Sequence, residues 1–203
     1  MFMKKLAPVI SYLFHPLIMP SLGLLIILNS GTYLSLYDPA AKRAVLFVMA
    51  LGTLVFPLMM LPILYYRSLV TSYKDASREE RLIPQVIILV LYIITFVYFQ
   101  RLPLNRVIHA YVLSAAILLF LVILLNLRFH LCIHSAALGG ITGLIMALIY
   151  LFETPLLGVL LFSLLAAGLT GSSRLALETH RWRDVLSGYL LGFFVVLATI
   201  LIY

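Results

Sequence analysis

Long apolar runs separated by short polar stretches make up almost the whole chain. The runs fall at residues 6–36, 44–66, 82–99, 107–127, 131–152, 156–170 and 185–203. Most approach the ~20 residues that one helical crossing of a bilayer needs. The first contains Pro8, His15, Pro16 and Pro20. Those prolines predict a kinked helix, or an interfacial piece followed by a spanning piece over 17–35. In the second run a kink is expected at Pro57 or Pro62. The pattern predicts an all-α fold, a polytopic transmembrane helical bundle of six or seven membrane segments, because lipid forces backbone polar groups to pair within helices. No repeat, low-complexity tract or linker divides it, so residues 1–203 are expected to form a single integral-membrane domain. Lys4 and Lys5 precede the first run as in a signal peptide, but no small-x-small site closes that run, so it is expected to be retained.

Composition narrows the class. Hydrophobic residues make up 64% of the 203, only 10% are charged, and the mean hydropathy is +1.16. That charge content cannot supply the polar surface of a soluble globule, and it also excludes a disordered chain. The net charge of +7 is scattered. With no basic run or basic helix face, it suits membrane-flanking residues or an anionic substrate, and no nucleic-acid partner is expected. The single cysteine, Cys132, cannot form an intrachain disulfide.

The few charges are not spread evenly. If each run crosses, the stretches 67–81, 128–134 and 171–184 are two crossings apart and share one membrane face. They hold five of the seven acids, eight of the fourteen Lys/Arg and three of the five histidines. Polar groups near membrane depth are expensive and usually functional.

Three groups of residues on that face have chemical potential. His180 and Asp184 stand at i, i+4; a helix starting near His180 would put both on one face, where a carboxylate fixes the imidazole tautomer and raises its nucleophilicity. Arg174 lies six residues earlier, Ser173 beside it, and an arginine gives planar, bidentate recognition of phosphate oxygens. His134, at the start of the fifth run, can serve as a general acid where helix N–H groups favour an anion. Lys74 and Arg81 are seven apart, two turns on one helix face. Each group alone also reads as something plainer: interfacial anchors, a packing histidine, or an exposed run of paired charges. Gly139/Gly143 and Gly188/Gly192 are Gly-x3-Gly pairs that allow close helix packing or dimerisation. His15 and His109 belong to no motif, and His109 is expected near the opposite face.

Taken together, Lys74-x6-Arg81, then His134-Ser135-Ala136, then Ser173-Arg174-x5-His180-x3-Asp184 resembles the type 2 phosphatidic acid phosphatase (PAP2) superfamily, which includes the vanadium haloperoxidases. The third motif is matched in full. In the first, the usual proline is displaced to Pro84. In the second, Leu131-Cys132-Ile133-His134 stands where the family usually has Pro-Ser-Gly-His. The resemblance implies a PAP2-like core and metal-independent hydrolysis of a lipid phosphate or diphosphate, with no cofactor. His180 would be the nucleophile, Asp184 its orienting group and His134 the acid for the leaving group. Lys74, Arg81, Arg174 and Ser173 would bind the phosphate.

Two other readings stay open. His130/His134 and His180/Asp184 are pairs that zinc or iron can use. A non-catalytic PAP2-like transport or assembly protein is the second. Orientation is also open: with the first run spanning, the motif face has ten Lys/Arg against four, which points to the cytoplasm. The resemblance points to an extracytoplasmic site on the cell (inner) membrane.

Overall fold

In the computed structural model residues 2–66 and 78–203 are described. They are helical almost throughout, with no strand among them. The proline-rich first run is split. Helix α1 spans Phe2–Leu13 and α2 spans Met19–Leu28. His15 and Pro16 lie in the turn between them. Helix α1 packs against α8 rather than folding back on α2. With ten residues, α2 is much shorter than the spanning piece expected over 17–35.

Helix α3 (Pro39–Ala50) opens with Asp38 capping Ala40 N at 2.8 Å and with Pro39 in its first turn. These are standard starts, since both satisfy or remove orphan N–H groups. It runs through a π-helical turn, Leu51–Val55, into α4 (Phe56–Tyr66). The wide turn falls just before Pro57, whose ring would crowd the carbonyl of Thr53 in a regular helix. The expected distortion at Pro57 is therefore a π turn. Next come α5 (Arg78–Phe99), α6 (Arg106–Asn126), α7 (Ile133–Phe152), α8 (Leu157–Ala176) and α9 (Trp182–Ile202).

Six stretches among the described residues are long and apolar enough to cross a membrane, running from Pro39–Met60 through Trp182–Ile202. The chain is a multi-pass membrane bundle. Its outer helices present Phe47, Phe162, Leu165 and Phe194, each more than half exposed, as lipid-facing surfaces do. Helix α7 is the hub: 67% of its span is buried, against 17–44% for the others. Its sequence explains this. Ala136, Gly139, Gly140, Gly143 and Ala147 make a slim helix that others approach closely.

The closest partner is α9. A side chain at Gly139 would strike the carbonyl of Tyr189, and one at Gly143 that of Phe193. Reciprocally, one at Gly192 would strike the carbonyl of Ala136, and one at Gly188 that of Cys132. Both Gly-x3-Gly pairs are thus used within the chain, each against the other helix.

The two ends differ. At one end, Asn105 N donates to Tyr37 Oη at 3.0 Å, Asn105 Nδ2 to Tyr33 Oη at 2.8 Å, and Gln100 Nε2 to Tyr203 Oη at 2.6 Å. Arg106 stands over the Tyr203 ring. His109 is here too, its Nε2 2.9 Å from Phe99 O, as expected for the face away from the motifs. The opposite end gathers the start of α5 and the loops before α7 and before α9.

Candidate functional site

Helix α8 continues to Ala176, past the expected end at residue 170. Ser173 and Arg174 therefore lie in its last turns, not in a polar loop. Ser173 is fully buried and its Oγ donates to Leu169 O at 2.8 Å. Arg174 is half-buried, and its Nε is buried without a hydrogen-bond partner among the described residues. The helix stops where Glu178 turns left-handed, with φ of 57°. A residue in that conformation just after a helix redirects the chain.

The redirected loop carries Thr179 and His180. Helix α9 begins at Trp182, so His180 precedes it, and the two residues do not share the helical turn that the i, i+4 spacing implied. Asp184 is the third residue of α9, where its Oδ2 accepts from Arg181 N at 2.9 Å. It closes the start of α9 and holds the loop bearing His180. A carboxylate there also faces the positive end of the helix dipole.

Thr179 lies against the His180 ring. Thr179 Oγ1 donates to Arg174 O at 3.1 Å, and His180 Nδ1 lies 3.2 Å from the same oxygen. A hydroxyl has one hydrogen, and it is committed to Arg174 O. In the tautomer that carries its proton on Nδ1, the ring donates to Oγ1 and its lone pair is on Nε2.

His134 is the second residue of α7, which opens with no side-chain cap. The turn before it is closed by Leu131 N donating to Asn126 Oδ1 at 2.6 Å. His134 Nδ1 is buried without a hydrogen-bond partner among the described residues. Arg174, His15 and His180 all stand near enough to act on its ring through space, and the backbone of Ser11 faces it. Three elements distant in sequence thus converge here.

A fourth group completes the cluster, and sequence reasoning passed it over. The His15 ring meets the His134 ring edge to face, with centroids 5.7 Å apart. Its Nδ1 accepts from Leu17 N at 3.3 Å. Burial, then the Arg174 charge, hold its pKa below the ordinary 6.5. The available signal was a histidine inside an apolar run, since such residues seldom sit near membrane depth without a role.

Lys74 lies outside the described residues. Arg81 is in the first turns of α5, but its side chain also lies outside the described set. His130 is exposed. Among the described residues, no three His, Cys, Asp or Glu side chains gather closely enough to hold a metal ion.

Five of the seven buried polar side-chain atoms without a partner among the described residues lie on the elements around this cluster: Ser11 Oγ, His134 Nδ1, Ser135 Oγ, Thr170 Oγ1 and Arg174 Nε. Buried polar groups are normally paired, so this concentration marks the end of the bundle suited to a polar ligand. Beside it, a cleft of about 300 Å³ runs between α8 and α9, lined by Ser135, Leu164, Gly168, Leu175, Trp182 and Leu186 among others. Apart from Ser135, Tyr189 and the Trp182 edge, the lining residues are apolar.

Compared with known proteins, the chain matches no family model, no curated protein and no solved structure.

Proposed function

We propose that the chain is a membrane phosphatase that hydrolyses a lipid phosphate or diphosphate through a phosphohistidine. The observation that carries this reading is the meeting of His134, Arg174 and His180 at one end of the bundle, with the buried His134 Nδ1 and Arg174 Nε having no partner among the described residues. The ordered resemblance of these residues to the PAP2 pattern supports it.

In the proposed reaction His180 Nε2 attacks phosphorus in line, and the bond from phosphorus to the leaving oxygen breaks. Thr179 holds the tautomer that makes Nε2 the nucleophile. His134 gives its proton to the leaving oxygen. Arg174, with Lys74 and Arg81, binds the non-bridging oxygens, where fixed positive charge lowers the barrier most. Water then attacks phosphorus and gives a proton back to His134, the nitrogen–phosphorus bond breaks with its electron pair returning to His180 Nε2, and inorganic phosphate leaves. Asp184 holds the His180 loop and supplies negative charge near the imidazolium. The apolar cleft beside the cluster suits the hydrocarbon chain of such a substrate. On this reading the site faces the extracytoplasmic side of the cell (inner) membrane.

The test is phosphate release by the full chain in detergent from a panel including phosphatidate and a polyprenyl diphosphate, with chelator present. Release is expected, vanadate should inhibit it, and His180→Ala should lower it by at least ~100-fold with an unchanged melting temperature. No release from any substrate, or release unaffected by His180→Ala, would remove the reading. Loss of activity on adding chelator would favour a metal enzyme.

A further inference from the structure

We propose that His15 is an oxyanion-binding residue of this site, a neutral imidazole whose Nε2–H donates to a non-bridging oxygen of the bound phosphate. The argument starts from a hydrogen bond. His15 Nδ1 accepts from Leu17 N at 3.3 Å. A nitrogen that accepts carries no proton, so in the neutral ring the proton is on Nε2. That nitrogen has no protein partner among the described residues. It is a donor, and the ring bearing it is fixed in the α1–α2 turn.

The surroundings set its direction of use. The ring packs edge to face on His134 at 5.7 Å between centroids. Arg174 acts on both imidazoles. An anion held by Arg174 beside His134 therefore lies close to the His15 ring. Burial and the guanidinium also disfavour a charged His15, which keeps it a neutral donor at neutral pH. The role has a chemical reason. Where the PAP2 pattern has a serine hydroxyl and a glycine before its histidine, this chain has Cys132 and Ile133. A donor to phosphate is missing from that loop, and His15 supplies one from another part of the chain.

The proposal rests on the phosphate-site reading, so its test uses anion binding apart from turnover. The probe is inorganic tungstate, titrated calorimetrically into the full chain in detergent. Two substitutions separate the two ring nitrogens. His15→Asn keeps an acceptor near the position of Nδ1 and loses the donor of Nε2. His15→Gln keeps a donor near Nε2 and loses the acceptor that closes the turn. Arg174→Ala identifies the site.

Wild type is expected to bind tungstate, and Arg174→Ala to abolish binding. His15→Asn should weaken it about tenfold or more, the scale of a hydrogen bond to a charged group, and His15→Gln should stay within about threefold. If His15→Asn binds like wild type while Arg174→Ala does not, the site stands and the role of His15 falls. If His15→Gln weakens binding and lowers the melting temperature while His15→Asn does neither, His15 is a turn-forming residue and the proposal is overturned. If wild type binds no tungstate, or Arg174→Ala binds it unchanged, the phosphate-site reading fails and takes this proposal with it.

Discussion

Cys132 donates its backbone N–H to the carbonyl of Asp184 at 3.1 Å. This one bond ties the start of α7, two residues before His134, to the first turn of α9, which anchors the His180 loop. It forms because Gly188 has no side chain to push Cys132 away. Farther along the interface Gly192 faces Ala136, and Gly139 and Gly143 face Tyr189 and Phe193. Small residues in a nonpolar solvent let backbones approach, so packing here fixes the geometry of the site.

The α7–α9 interface is therefore intolerant at its glycines, whereas Gly158 on α8 is not. A side chain at Gly192 meets the backbone of Ala136 and Gly140, which cannot move aside. Gly192→Leu should destabilise the solubilised protein by about 3 kcal/mol or more. At Gly158, exposed on α8, an added side chain meets nothing. Gly158→Leu should be neutral or stabilising by up to ~1 kcal/mol, since glycine is a poor helix former. Thermal unfolding in one detergent compares the two, and equal melting temperatures would contradict the packing account.

In the proposed reaction Thr179 acts through His180, so its effect should fall on turnover. Thr179→Val removes the oxygen that both accepts from His180 Nδ1 and donates to Arg174 O. The expected result is a kcat about tenfold lower with KM little changed. Thr179→Ser keeps the hydroxyl and should recover most of the rate. Steady-state kinetics on whichever lipid phosphate is hydrolysed gives both numbers. A valine variant as fast as the serine variant would show that the ring is held by something else.

Much of this was legible in the sequence, for identifiable reasons. Helix positions follow from long apolar runs, which only helices can satisfy in lipid. The shared end of His134, Arg174 and His180 follows from counting crossings between them. The helix ends were not legible: polarity at Gly171–Arg174 looked like a loop, yet α8 continues because Ser173 Oγ bonds back to Leu169 O inside the bundle. The i, i+4 spacing of His180 and Asp184 suggested a helical pair, but the left-handed Glu178 and the Asp184–Arg181 bond start α9 two residues later. His15 escaped because its neighbours in space, His134 and Arg174, are over a hundred residues away, a relation no local spacing encodes.

The lowered pKa of His15 has a consequence for stability. A histidine shifted below 6.5 binds fewer protons in the folded chain than in the unfolded one. Its contribution is then fully present above 6.5 and is lost as pH falls through the lower folded value. His134 and Arg174 are the basic groups that face it. Melting temperatures of wild type should fall from about pH 7 to about pH 5, and His15→Gln should make that fall shallower. Parallel curves for the two proteins would mean that His15 does not titrate differently on folding.

If the proposed function holds, the cleft between α8 and α9 sorts substrates by their hydrocarbon chain. Its α8 wall runs from Leu175, next to Arg174, to Leu164, eleven residues deeper, which is ~16 Å along a helix. It thus leads from the charged end into the membrane interior and has the length and polarity for part of one hydrocarbon chain. Gly168 lines it, and a side chain added there meets no protein atom. Gly168→Leu should therefore fill the cleft without disturbing the fold. For a long-chain phosphatidate the KM is expected to rise about tenfold, the worth of a few methylenes denied burial. For a short-chain, water-soluble phosphate ester kcat/KM should be unchanged, because the reacting groups lie above the cleft. Competing the two substrates against each other in wild type and variant measures the ratio directly, and a ratio that does not move would show that the chain lies elsewhere.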